Sequence, residues 1–256
     1  MVLYSSVVPS CCMRLLSYLL IFFLCTLTWC VKANSRIPLS ISVSNTWMPY
    51  VYLNEQRELD GRDYALLSKT LDELGYALER VESAEQNRRL FQIQQSFHDV
   101  QLGAHKSHNT QDPGYFSIPY RQKTIGLFYM QPELFSGSPD DLEVSLREQE
   151  CIGAANEKQW YGEDFQALKA QYPQQILHVE SQVSQLRMLQ KGRVGFVIGD
   201  VLEVKALASK LNIDNLMQHP YPVFIEDIHF VFNKEKVDQN FMIKFNQALR
   251  ARLREY

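Results

Sequence analysis

Two hydrophobic periods take turns along this chain. From Ile37 to Val43 apolar and polar positions alternate, the period of a half-buried strand. An aromatic-rich loop follows with Trp47, Pro49 and Tyr50, then a polar turn from Asn54 to Gly61. Asp63 stands where a helix N-cap belongs. Tyr64, Leu66, Leu67, Leu71 and Leu74 make a helical stripe, and Gly75 closes it. Tyr76 to Val81 predicts a second strand, Asn87 to Gln95 a short helix and Asp99 to Ala104 a third strand. Strands alternating with helices indicate a doubly wound α/β lobe.

After a turn-rich segment with Pro113, Gly114 and Pro119, an apolar strand runs from Thr124 to Tyr129. The pattern then restarts. Strands are predicted at Cys151 to Ala155, Ile176 to Val179 and Val194 to Ile198, with helices at Glu157 to Gln171, Gln182 to Lys191 and Val201 to Leu211. Asp227 to Phe232 is one more strand. Val237 to Arg254 is a long closing helix with arginines at its end, which suits the helix dipole. The expected fold class is therefore α/β in two lobes of one style.

The first 33 residues stand apart. Arg14 is the only charge before Lys32, and Leu15 to Val31 is uncharged and mostly apolar. That order reads as the n-region, h-region and small-residue cleavage site of a signal peptide ending near Ala33, with Met13 as the true start. A retained anchor is the alternative, since these 17 uncharged, mostly apolar residues sit at the lower limit for a span.

The formal charge of −3 becomes −5 once Arg14 and Lys32 leave with the leader. Scattered basic residues and this acidic balance exclude a nucleic-acid partner. Four of the five cysteines (Cys11, Cys12, Cys25 and Cys30) lie in the leader. Cys151 remains alone at the start of an apolar strand, a buried thiol rather than a nucleophile. His105 and His108 are spaced i, i+3 near Asp112, but without a second ligand pair they read as part of a polar loop. No nucleophile elbow, P-loop or zinc-protease motif occurs. The reading is of a protein that is not an enzyme, with no cofactor and no metal.

Six segments in order carry a family resemblance. Trp47, Pro49, Tyr50 and Tyr52 open it, followed by Gly61, Asp63 and Leu66, and by Leu74-Gly75. The strand Asp99 to Gly103, the Phe-Ser-x-Pro-Tyr run Phe116 to Tyr120, the Ile152-Gly153 strand and the segment Leu189 to Asp200 complete it. The chain thus resembles the extracellular, periplasmic solute-binding proteins of the amino-acid-binding type, family 3, as a divergent member. The resemblance implies two lobes joined by two crossings, near Gly126 to Gln131 and Val223 to Ile228, and closing on a ligand. Lobe 1 would be 34–126 plus 228–256 and lobe 2 would be 127–227, in a monomer delivering solute to an ABC transporter permease. A membrane sensor or interaction module is the second reading. A relative of the cyclohexadienyl dehydratases, which are enzymes, is the third.

The family's arginine for a ligand carboxylate, just upstream of Phe-Ser-x-Pro-Tyr, is absent; Thr110 or Gln111 takes its place. Lys106 or Arg62 is left to replace it, with Ser107 and Thr110 on the same stretch as Lys106. Asp200 matches the family's ammonium anchor and equally reads as the N-cap of the helix starting at Val201. The family's second-lobe turn is replaced by residues 156–160, where Lys158 and Trp160 would supply charge and an apolar wall and Glu157 would repel an anion. Trp47 and Tyr50 are assigned to the ligand, Tyr52 and Tyr120 to packing.

Overall fold

A computed structural model describes residues 36–42, 47–81, 98–106, 114–148, 152–157 and 159–255. The leader, the helix expected at 87–95, Ser107, His108, Thr110, Cys151 and Lys158 lie outside the described residues.

The chain forms two lobes that share two long strands. Lobe 1 contains β1 (Ile37–Ser42), a hairpin of β2 (Tyr52–Leu53) and β3 (Leu59–Asp60), α1 (Arg62–Glu73), β4 (Tyr76–Val81), β5 (Val100–Ala104) and β6 (Tyr115–Phe116). The first long strand, β7 (Arg121–Tyr129), leads into lobe 2. There α2 (Asp141–Glu148), β8 (Gly153–Ala155), α3 (Glu163–Gln171), β9 (Ile176–His178), α4 (Gln182–Gln190), β10 (Phe196–Asp200), α5 (Val201–Lys210) and β11 (Met217–Gln218) follow. The second long strand, β12 (Phe224–Phe232), returns to lobe 1, where α6 (Gln239–Arg252) closes the chain.

The strand order is β4-β1-β5-β12-β7-β10-β8-β9. β1 pairs parallel with β4 and β5, while β12 is antiparallel to β5 at one end and to β7 at the other. Phe224 to Ile228 of β12 faces Ile125 to Arg121 of β7. Those five pairs join the lobes.

Alternation along the strands builds the cores. In lobe 2, Ile125, Leu127 and Tyr129 of β7 and Phe196 and Ile198 of β10 pack on one side with Leu146 and Phe165. Phe128 and Val197, one position out of phase, pack on the other with Leu186, Leu189, Val204 and Leu207 of α4 and α5. Strands covered on both faces read as continuous apolar runs, as these do. In lobe 1, Leu67 and Leu71 of α1 and Phe245 and Leu249 of α6 bury against Leu39, Ile41, Phe230 and Phe232. Each such side chain contributes about 1.5–3 kcal/mol.

Several expected boundaries move. Helix α1 begins at Arg62 with Gly61 as its N-cap, and Asp63 lies in the first turn. The Asp63 carboxylate does not cap, because Arg121 and Tyr120 engage it. Gly61 has φ 121°, and a Cβ there would lie 2.4 Å from the Tyr50 carbonyl oxygen, so glycine is required. Helix α3 starts at Glu163, six residues later than expected. Residues before it form a loop because Tyr161 drops into the lobe 2 core and takes the Asn156 N–H on its hydroxyl at 3.1 Å. Strand β7 starts at Arg121 because Arg121 to Thr124 find partners on β12. Tyr52 is not core: it sits half-buried in the hairpin with its hydroxyl 3.2 Å from Asp60.

Candidate functional site between the lobes

The Phe116–Tyr120 run is built to follow β12. Ser117 N–H donates to the Phe230 carbonyl at 2.9 Å, and the Phe230 N–H donates to Ser117 Oγ at 3.0 Å. Ile118 N–H donates to Asn246 on α6 at 2.9 Å. Tyr120 stacks on Phe230 with centroids 3.9 Å apart and planes at 6°. Its hydroxyl donates to Asp63 Oδ2 at 2.6 Å and accepts from Gly103 N–H at 3.2 Å. The motif thus fixes the base of the crossing strands and delivers Arg121 to the space between lobes.

Arg121 is the centre of a buried polar chain. Its Nε donates to both Asp63 oxygens at 3.1 and 3.0 Å, and its guanidinium lies 3.7 Å over the Tyr50 ring. Tyr50 in turn donates its hydroxyl to Asp200 Oδ1 at 2.5 Å, a contact from lobe 1 to lobe 2. Asp200 Oδ1 also accepts the Leu202 and Glu203 N–H groups at 3.0 and 2.9 Å. Asp200 therefore caps α5 and holds Tyr50 with the same oxygen. Its Oδ2 and the Nη1 of Arg121 are buried without a partner among the described residues.

Burial pushes the Asp63 carboxyl up despite the pull of Arg121. It drives the Tyr50 and Tyr120 hydroxyls far above the ordinary tyrosine range, with Asp200 reinforcing Tyr50 and Asp63 reinforcing Tyr120. Desolvation opposes the charge on Arg121, but Tyr120, Asp63, Tyr50 and Asp200 together hold it above the ordinary value.

Two residues along β7, Lys123 continues the charged face. It meets Glu226 of β12 at 3.1 Å, and Glu226 lies 3.7 Å from His105 at the exit of β5. Burial, then the charge of Asp200, raise Glu203 to about 7 against the attraction of Lys123.

Among the described residues, three cavities lie around this network. One, about 840 Å³, has walls from His105, Lys106 and Pro119 of lobe 1, Trp160, Gly162, Glu163 and Asp164 of lobe 2, and the crossing strand β12. A second, about 620 Å³, lies between Trp47 and Met48 of lobe 1 and, in lobe 2, the first half of α4 and the α5 face from Glu203 to Lys210. A third, about 450 Å³, is lined by Arg62 with Tyr52, Asp60 and Leu253.

The structure thus distributes the sequence-predicted set. Lys106 and Trp160 share the large cavity, and Trp47 lines the second, with its indole against Gly103 and 5.7 Å from the Tyr50 ring. Tyr50 and Asp200 are both 2% exposed and face each other. Arg62 stands apart from Lys106, in the third cavity. Sequence reasoning left out Arg121, Lys123, Glu226 and His229. The available signal was charge at facing positions of two otherwise apolar strands.

No protein-family model and no curated protein sequence matches the chain. Solved structures do. An ancestral arginine-binding protein bound to arginine aligns over 85% of this chain and 92% of its own at 17% identity, with a TM-score of 0.67. A histidine kinase sensor domain with similarity to periplasmic binding proteins aligns over 87% and 92% at 14% identity, TM-score 0.66. An ancestral amino-acid-binding protein, a precursor of cyclohexadienyl dehydratase, aligns over 84% and 88% at 18% identity, TM-score 0.65. The chain has the two-lobe periplasmic-binding-protein fold.

Proposed function

We propose that this chain is an exported solute-binding protein, its leader removed near Ala33, that captures a small polar solute between its lobes. The solute class is an amino acid or a related amine or carboxylate, and the product of capture is delivery to an ABC transporter rather than chemistry. The observation that carries this reading is the 840 Å³ cavity walled by both lobes and by the strand that joins them. Its size falls within the range of small-ligand sites. Bending of the β7–β12 crossing would open and close it. Arginine binding by an ancestral protein of the same fold supports the solute class.

A second reading, a sensory or interaction module, is favoured by one observation. Asp200, the residue matched to the ligand's ammonium, already accepts from Tyr50 and two backbone N–H groups. A sensor domain of the same fold supports it.

Thermal unfolding against amino acids, polyamines, small carboxylates and aromatic acids separates the two. A solute at a hundred times its dissociation constant adds about 2.7 kcal/mol and raises the melting temperature. A panel without any rise overturns solute capture and moves the search to a protein partner.

A further inference from the structure

The 840 Å³ cavity presents acceptors. Among the described residues, Glu163, Asp164, Glu226 and Asp227 line it against one ammonium, Lys106. Lys123 takes one Glu226 oxygen at 3.1 Å from outside the lining and leaves the other, so acids still outnumber cations among the described lining residues. Helix α3 opens onto the cavity, but its first-turn acids Glu163 and Asp164 already supply the negative charge that a helix N-terminus favours.

An independent feature points the same way. His229 lines the cavity and is 4% exposed. Its Nδ1 is 2.7 Å from the Ser117 carbonyl oxygen, so Nδ1 carries the hydrogen and donates it. That leaves Nε2 as a lone-pair acceptor, and it has no partner among the described residues. Burial and then Lys106 hold the ring below its ordinary value, which keeps it neutral. The pairing of β12 with β5 shifts register between His229 and Val231, an irregularity of the kind that re-aims a side chain. Trp160, 41% exposed, adds an aromatic face beside these acceptors.

Resting on the solute-capture reading above, we propose that the cavity selects a small aliphatic amine or diamine without a carboxylate, over the corresponding amino acid. Ammonium N–H groups are received by His229 Nε2 and the Glu226 and Asp227 carboxylates, and the alkyl chain lies along Trp160. A carboxylate on the ligand would add an anion to this excess of acids. The cations of the crossing strands do not receive it, because neither Arg121 nor Lys123 lines this cavity.

The test is calorimetric titration of the purified protein with matched pairs: cadaverine and lysine, putrescine and ornithine, agmatine and arginine. At least one amine is expected to bind ten-fold or more tightly than its amino acid. Lys106→Ala should strengthen amine binding about two- to five-fold by removing a like charge. Glu226→Gln should weaken it ten-fold or more, and Asp227→Asn serves if that variant does not fold. Amino acids binding as tightly as their amines, or loss of amine binding in Lys106→Ala, overturns this selectivity and leaves solute capture standing. So does binding of some other solute with none of the amines. Heat from no solute of any class overturns both.

Discussion

Replacing Glu203 by glutamine should stabilise the protein at pH 8 and change little at pH 5. Glu203 sits in the first turn of α5, its N–H bonded to Asp200 at 2.9 Å. Burial and the neighbouring Asp200 charge outweigh Lys123 and push its carboxyl to about 7, against an ordinary value of 4.5. Between those values the folded protein keeps a proton that the unfolded chain has released. The contribution of this group to stability therefore falls as pH rises from about 4.5 to about 7, and is constant above that. At 1.36 kcal/mol per tenfold, the full difference is about 3 kcal/mol. Glu203 keeps some surface on the 620 Å³ cavity, and solvent there reduces the expected gain to about 1.5 kcal/mol at pH 8. Urea denaturation of both proteins at pH 5, 6, 7 and 8 measures it. The stability of the variant minus that of the wild type should grow from near zero to about 1.5 kcal/mol. A difference that is constant, or that shrinks toward pH 8, refutes the reasoning.

Two further substitutions probe the buried chain. Asp63→Ala leaves the Arg121 guanidinium without its partner and should cost about 3–5 kcal/mol in denaturant titration, with at least half recovered in the Asp63→Ala, Arg121→Met double variant. A loss under 1 kcal/mol in the single variant would falsify the ion pair's structural role. Tyr50→Phe deletes the hydroxyl that joins lobe 1 to Asp200 and should cost about 1–2 kcal/mol. It should also enlarge the radius of gyration in small-angle scattering; unchanged stability and size together would show that this bond does not hold the lobes closed.

Much of the fold was legible because it rests on local periods. The strand alternation that places Phe128 and Val197 opposite Leu127 and Ile198 is visible in the sequence, as is the leucine stripe of α1. The site was less legible because its contacts are distant. Asp63 reads as a helix cap from its neighbours, yet its carboxylate belongs to Arg121, 58 positions on. Tyr50 reads as a loop aromatic for a ligand, and its hydroxyl meets Asp200, 150 positions on. Asp200 admitted two roles by sequence, and the structure shows it capping α5. Helix α2 was missed because its eight residues bury only Asp141, Ser145 and Leu146, too little apolar surface to give a stripe. The helix expected from Glu157 starts only at Glu163: Gly162 at φ 91° is its N-cap, and the burial of the Tyr161 ring keeps the residues before it in a loop.

The shared strands also set the order in which a nascent chain can fold. The cores of lobe 2 draw on residues from Ile125 to Phe224, one unbroken stretch. The core of lobe 1 combines Leu39, Leu67 and Leu102 with Phe230, Phe232, Phe245 and Leu249, near the opposite end of the chain. During synthesis, lobe 2 can condense while lobe 1 still lacks a central strand and a covering helix. The long-range pairing of β5 with β12 then becomes the slow, late step. A chain that ends before β12 keeps most of the second-lobe core but is tethered to an open first sheet, with the β5 edge exposed.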